Sequence, residues 1–195
     1  MVSRVKTVAF QGVEAVPIDV QVMIAPGKVG IQIVGLADKA VAESRERVQA
    51  ALHASGLSMP PKKVTVNLAP ADLPKEGSHY DLPIALGLMA ALGAIPSDAL
   101  ADFMVLGELS LDGMIASVAG VLPAAMGANA VGLGLICPAA CGAEAAWASA
   151  DMPIPPIPVK CIFRSLIYSR IQYLTRPGEL AGYFQGASGA DRCDC

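Results

Sequence analysis

The sequence predicts an α+β or α/β sandwich in which helices pack on one mixed sheet. Three observations predict it. The first 35 residues alternate apolar and polar side chains, as half-buried strands do. From residue 37 the period becomes helical, and strand-like and helix-like segments then alternate to about residue 150. At 195 residues, 54% hydrophobic and 16% charged, the chain suffices for one well-buried domain and is awkward for two. Aromatics supply only 5%, so the core must be built from Val, Ile, Leu, Met and Ala.

"RVKTVAFQGV" and "AVPIDVQVMIAPG" read as a hairpin turning near Gln11-Gly12, and "VGIQIVGL" as a third strand after the Ala25-Pro26-Gly27 turn. This opening is expected to be an antiparallel meander. In "ADKAVAESRERVQAALHASGL", Val41, Val48 and Leu52 share a helical face, with Ala37 and Ala51 beside it. Asp38 suits the N-cap and Gly56 the stop before Pro60-Pro61. Glu43 and Arg47 are spaced i, i+4 on what reads as a solvated face. "KKVTVNLAPADL" sends Val64, Val66 and Leu68 into the core as a strand. "DLPIALGLMAAL" is apolar almost all round and predicts a central buried helix, with Pro83 tolerated in its first turn. "FMVLGELSLDGMIASV" reads as a strand, a Leu111-Asp112-Gly113 turn and a returning strand. A helix in "GVLPAAMGANAVGL", a strand in "GLICPA" and a short helix in "CGAEAAWASA" follow. Residues 153–195 change character, holding five of the nine aromatics and three of the five cysteines. They are expected to be a divergent tail, disordered or read out of frame, to which the sequence assigns no fold.

No stretch of 18 or more uninterrupted apolar residues occurs, and the N-terminus lacks the apolar block of a signal peptide. A cytoplasmic protein without membrane contact is expected. Cys137 and Cys141 are four apart but lack two further ligands nearby, so they read as small buried hydrophobes. The formal net charge of −3 argues against a broad basic surface. Between Lys75 and Lys160 there is no Lys or Arg, while eight acids fall in that interval.

The stretch "LPKEGSHYDLPIAL" concentrates polar chemistry at the mouth of the buried helix. Ser78 and His79 are adjacent, so their side chains diverge. Asp81 in the first turn complements the helix dipole and can accept from exposed backbone N–H groups. Lys75 and Glu76 are candidates for exposed ion pairs with Glu43 and Arg47, each contributing only about 0–1 kcal/mol.

Three stretches carry a resemblance: "IVGLADKAVAESRERVQAAL", "VTVNLAPADLPKEGSHYDLPIALGLMAAL" and "LGELSLDGMIASVAGVLPAA". From Val5 to about Asp151, three-quarters of the chain, the sequence resembles the N-terminal domain of the ComM/YifB family of magnesium-chelatase-like AAA+ ATPases. That domain is similar to the Lon protease catalytic domain, so the resemblance implies the fold of ribosomal protein S5 domain 2 for residues 1–152.

Lon-type peptidases use a Ser-Lys dyad, in which a partly desolvated lysine deprotonates the serine. The Pro-Lys-Asp-Gly-Pro-Ser stretch of those peptidases corresponds to "PKEGSH" here. His79 then stands at the nucleophile position, Ser78 one residue earlier, and Leu122 at the lysine position. No lysine lies anywhere from 76 to 159, so the site is expected to be degenerate and catalytically silent. The parent family uses ATP and magnesium, held by a G-x-x-x-x-G-K-[ST] loop. The one Gly-Lys pair here, Gly27-Lys28, is followed by Val29, and Val22 stands where the first glycine belongs. No cofactor or metal is therefore expected in this chain. In the tail, "PIPPIPVKCIFRSLIYSR" departs from the family, which suggests a frameshifted or truncated gene or a divergent extension.

The expected function is that of a non-catalytic, Lon-like N-terminal domain of an ATPase acting on DNA in competence and recombination. By resemblance its partners are DNA and neighbouring subunits of a ring. The candidate contact residues are Arg45, Arg47, Lys62, Lys63 and Lys75. The rival is a peptidase with a remodelled site around Ser78 and His79. An RNA-binding role like that of S5 is disfavoured by the acidic balance and the lack of stacking aromatics.

Overall fold

The computed structural model describes residues 2–141 and the backbone of 171–174. Strands β1 (Val2–Gln11) and β2 (Glu14–Ala25) form the expected antiparallel hairpin, in register from Val2↔Met23 to Gln11↔Glu14. Its two-residue turn is Gly12-Val13, and Gly12 takes φ +62°, where a Cβ is disfavoured.

The meander expectation fails at the third strand. Strand β3 (Gly30–Val34) does not pair with β2; helix α1 (Lys39–Ala54) leads to β4 (Lys63–Ala69), which inserts between them. β4 runs antiparallel to β2 and parallel to β3. Burial accounts for this order. Val64, Val66 and Leu68 are wholly buried, so β4 belongs inside the sheet, whereas β3 offers only Ile31 and Ile33 to the core and suits an edge. A parallel pair needs a crossover, and α1 supplies it. Asp38 caps α1, its Oδ1 accepting from Val41 N at 2.7 Å, and Gly56 follows the helix at φ +78°.

Helix α2 (Asp81–Ala91) is buried along its length except at Ala91, as an all-round apolar sequence requires. It crosses β1 and β2 so closely that a Cβ on Gly87 would lie 2.9 Å from Val22 Cγ2. Strand β5 (Phe103–Val105) joins the far side of β1 in parallel. The expected hairpin is β6 (Glu108–Leu109) with β7 (Ile115–Ala116), and it stands apart from the main sheet. Helix α3 (Val121–Ala130), β8 (Gly134–Pro138) and a 3-10 turn at Ala139–Cys141 follow. The short helix expected over 141–150 lies outside the described residues beyond Cys141. Of the expected tail, 153–195, only the backbone of β9 (Ile171–Leu174) is described; it pairs antiparallel with β8.

The result is a mixed seven-stranded sheet in the order β3-β4-β2-β1-β5-β8-β9. Two apolar clusters divide its faces. Val5, Val20, Val66 and Val105 pack with α1 and α2, while Val8, Met104 and Leu135 pack with α3. Helices therefore cover both faces, but α3 covers only one end of its face, against Ala15, Phe10 and β8. Cys137 and Cys141 are buried, and Cys141 Sγ lies 3.8 Å from the Val118 carbonyl.

Candidate functional site

The three sequence stretches that carry the resemblance converge on the N-terminus of α2. Backbone bonds bring them together: Lys75 N donates to Leu36 O at 3.2 Å, and Asp38 N donates to Lys75 O at 3.0 Å. On the other side Gly107 N donates to His79 O at 3.0 Å, and Leu82 N to Gly107 O at 2.9 Å. Gly107 packs tightly on α2: a Cβ there would sit 3.0 Å from Leu82 Cδ2, so the leucine side chain would have to give way by a few tenths of an ångström. At 35 the constraint is stronger: φ is +112°, and a Cβ would lie 2.2 Å from Leu68 O.

Side chains then lock the joint. Asp81, wholly buried, accepts from Arg47 Nε at 2.6 Å, from Arg47 Nη2 at 3.0 Å and from Leu109 N at 3.1 Å. Arg47 also reaches Ala40 O at 3.0 Å, and Glu43 only at 4.0 Å. Its side chain is 20% exposed, so it is not part of a solvated face as expected. The Asp81 hydrogen bond, opposed in part by burial, holds the guanidinium still further above its ordinary pKa. Two opposite charges taken out of water must meet, and this bidentate pair satisfies both.

The expected ion pairs of Lys75 and Glu76 with Glu43 and Arg47 do not form. Lys75 has no exposed surface, and its ammonium donates to the Pro70 carbonyl within its own loop. Burial lowers its pKa, with Asp72 opposing the shift. Ser78 Oγ donates to Glu108 Oε2. His79 is 5% exposed, and its Nε2 lies 2.9 Å from the Val8 carbonyl. That oxygen can only accept, so Nε2 carries the proton. Burial lowers the imidazole pKa, and the rings of Phe10 and Tyr80 flank it at 5.2 and 4.2 Å. Leu122 lies in the first turn of α3 on the opposite face of the sheet, with its side chain half-exposed. Ser78 and His79 therefore take different hydrogen-bond partners, and the aliphatic Leu122 side chain can take none.

The helix terminus is also spent. Asp81 N donates to Ser78 O, Leu82 N to Gly107 O and Ile84 N to Tyr80 O, and Pro83 has no N–H. No donor of the first turn is left to hold an oxyanion. The crevice between α1, α2 and the β6–β7 hairpin holds only about 20 Å³ of free volume, too little for a substrate. Among the described residues no group of three or more His, Cys, Asp or Glu could hold a metal ion. Gly27-Lys28 lies in the turn between β2 and β3 and leads into a strand, so it lacks the helix N-terminus that a phosphate-binding loop requires. These residues do not fit a nucleotide. No helix among them is long and apolar enough to cross a membrane.

Of the candidate contact residues, Lys62 is exposed and Lys63 partly so. Arg45 is exposed and pairs with Glu46 at 3.1 Å. Arg47 and Lys75 are committed inside the joint, so neither offers a free surface charge.

Residues 20–140 match the model of the family described as subunit ChlI of Mg-chelatase. The chain belongs to this magnesium-chelatase-like family. Within it, the chain is 47% identical over 123 residues to the protein YifB of Escherichia coli K12, covering 63% of this chain and 24% of the relative. It is 44% identical over 121 residues to the competence protein ComM of Haemophilus influenzae, covering 62% and 24%. An uncharacterized protein of Mycobacterium tuberculosis H37Rv matches at 33% over 186 residues, 95% of this chain and 34% of the relative. Membership of the ComM/YifB branch follows. The mycobacterial match reaches well into residues 153–195. The chain spans about a quarter to a third of the length of these relatives.

The sequence reading missed the Arg47–Asp81 pair and the Ser78–Glu108 bond. A signal for the first was present: Arg47 adjoins Val48 and follows Ser44 by three on the buried face of α1, and Asp81 opens a fully apolar helix.

Proposed function

We propose that this chain acts as a non-catalytic, Lon-like N-terminal domain of a ComM/YifB-type ATPase that handles DNA in competence and recombination. The fold of the Lon catalytic domain and of ribosomal S5 domain 2 is part of this proposal, as are the ring assembly and the parent's use of ATP and magnesium. One observation carries the non-catalytic reading: each group at the Lon-like position is engaged elsewhere. The Ser78 hydroxyl is held by Glu108, His79 Nε2 by the Val8 carbonyl and the Lys75 ammonium by the Pro70 carbonyl. A Lon-type dyad needs a lysine amine within hydrogen-bond reach of the serine; Ser78 meets instead the Glu108 carboxylate, a much weaker base, and neither His79 nor Lys75 is hydrogen-bonded to it. The joint at α2 then serves to fix three segments rigidly, as a domain docked on a moving ATPase requires.

The test is domain exchange. The matching region of the Haemophilus competence protein is replaced by residues 1–152 of this chain, and DNA-dependent ATP hydrolysis is measured. Activity restored above that of the domain-deleted protein supports the reading; activity no better than the deletion overturns it. A serine-reactive fluorophosphonate should label nothing in the isolated chain. Labelling lost in Ser78→Ala would establish the peptidase alternative instead.

A further inference from the structure

The cations of the described residues divide into two groups. Lys39 pairs with Glu43 at 3.8 Å, Arg45 with Glu46, Arg47 with Asp81, Lys6 with Asp19 at 3.8 Å, and Lys75 is buried. Arg4, Lys28, Lys62 and Lys63 have no ionic partner among the described residues, and all four lie at one end of the sheet. Lys63 stands opposite Ala25 and Gly30, with Lys28 in the turn between those two strands and Lys62 just ahead of β4. Arg4 stands opposite Gln21, which stands opposite Asn67.

The register places Arg4 and Lys63 on one face, with Lys28 and Lys62 in the loops at its rim. Val5, Val20, Val66 and Ile33 point to α1 and α2, so the alternate residues point the other way, beyond the reach of α3. That outer face presents Arg4 and Lys6 on β1, Asp19, Gln21 and Met23 on β2, Lys63, Thr65 and Asn67 on β4, and Gln32 and Val34 on β3. Asp19 is its only acid, and Lys6 answers it. Among the described residues, the cations without an ionic partner thus gather on this amide-rich face and at its rim.

We propose that the open face of β3-β4-β2-β1 is a contact surface for the phosphate backbone of nucleic acid. This rests on the DNA-associated function proposed above. The chemistry favours a polyanion over a protein partner: protein interfaces need buried aromatic or large apolar anchors, and this face has none beyond half-exposed Val2, Met23 and Val34. Lacking aromatics, it cannot stack bases, so binding is set by phosphates and is independent of sequence. Four positions along the strand and two strands across place Arg4 roughly 17 Å from Lys63. Duplex DNA presents about ten charges over such a length.

The full chain is titrated with a fluorescent duplex of mixed sequence at increasing salt. Four phosphate contacts give a slope of log K against log salt of about −3.6. Replacing Arg4, Lys28, Lys62 and Lys63 together by Gln should weaken binding at least ~10-fold at low salt and flatten that slope. The Lys39→Gln variant should bind like the parent. With duplex bound, Lys28, Lys62 and Lys63 should be protected from acetylation and Lys39 should not. Thermal melts of each variant show that it is folded. Equal affinity of the quadruple variant, or protection of Lys39 instead, overturns this surface while leaving the DNA-associated function standing. Absence of any duplex binding at low salt also overturns the surface, and the domain exchange then decides the function separately.

Discussion

Removing the Asp81 carboxylate should be among the most damaging single changes in the domain. Asp81→Ala deletes three hydrogen bonds at once, two from Arg47 and one from Leu109 N. It strands a guanidinium that is only 20% exposed and orphans a buried backbone N–H. Breaking a buried pair from one side costs about 3–5 kcal/mol. Arg47 keeps its bond to Ala40 O and a distant Glu43, which places the expected loss near the lower end, about 3 kcal/mol. Against a total stability of about 5–15 kcal/mol, that is a fifth to more than half. Urea unfolding followed by circular dichroism should show an unchanged slope and a midpoint lower by about 1–3 M. The double variant Arg47→Met/Asp81→Leu should recover most of the loss, because no charge is then stranded, and a coupling of about 2 kcal/mol or more should emerge from the cycle. A loss below about 1 kcal/mol for Asp81→Ala, or strictly additive single variants, would refute the argument.

Other consequences follow from the same geometry. The Tyr80 hydroxyl is buried with no hydrogen-bond partner among the described residues, so Tyr80→Phe should leave stability unchanged or raise it by about 1 kcal/mol; a fall of that size on urea unfolding would contradict this. His79 is held neutral with its pKa below the ordinary 6.5. Below pH 6.5 the unfolded chain then binds a proton that the folded chain refuses, so stability is complete above 6.5 and declines as pH falls towards the folded pKa. In His79→Gln, whose amide can still donate to Val8 O, the stability–pH profile over that window should be flatter than in the parent; an unchanged profile would show that His79 is not the group responsible. Gly35→Ala should cost upwards of about 2 kcal/mol, since a Cβ would meet the Leu68 carbonyl at 2.2 Å and the backbone must move. Thermal melting checks it, and a shift of less than a degree would mean the β3–α1 junction yields more easily than the contact implies.

Local elements were legible because their causes are local. Asp38 caps α1 and Gly56 ends it, the Gly12 turn closes the first hairpin, and α2 is buried because its sequence leaves it no polar face. The position of β3 was not legible, since apolar alternation fixes which face of a strand is buried and says nothing about its neighbour. That order is set by pairing across the fold, β4 bonding to β2 along one edge and to β3 along the other. The candidate site divides in the same way. The absence of a lysine between 76 and 159 could be read directly, whereas the partners taken by Ser78, His79 and Lys75 could not.

What the sequence determined by itself is the family, most of the element types and the lack of any lysine from 76 to 159. Each follows from residue identity and spacing along the chain. Tertiary structure alone decided the fate of the charges. Arg47 meets Asp81 across 34 positions, Lys75 turns inward to Pro70, and Arg4 joins Lys63 across β2 on an open sheet face. The physical reason is desolvation. Whether a charge is paired, buried or left for a partner depends on which surfaces the fold removes from water, and strand order and helix packing settle that.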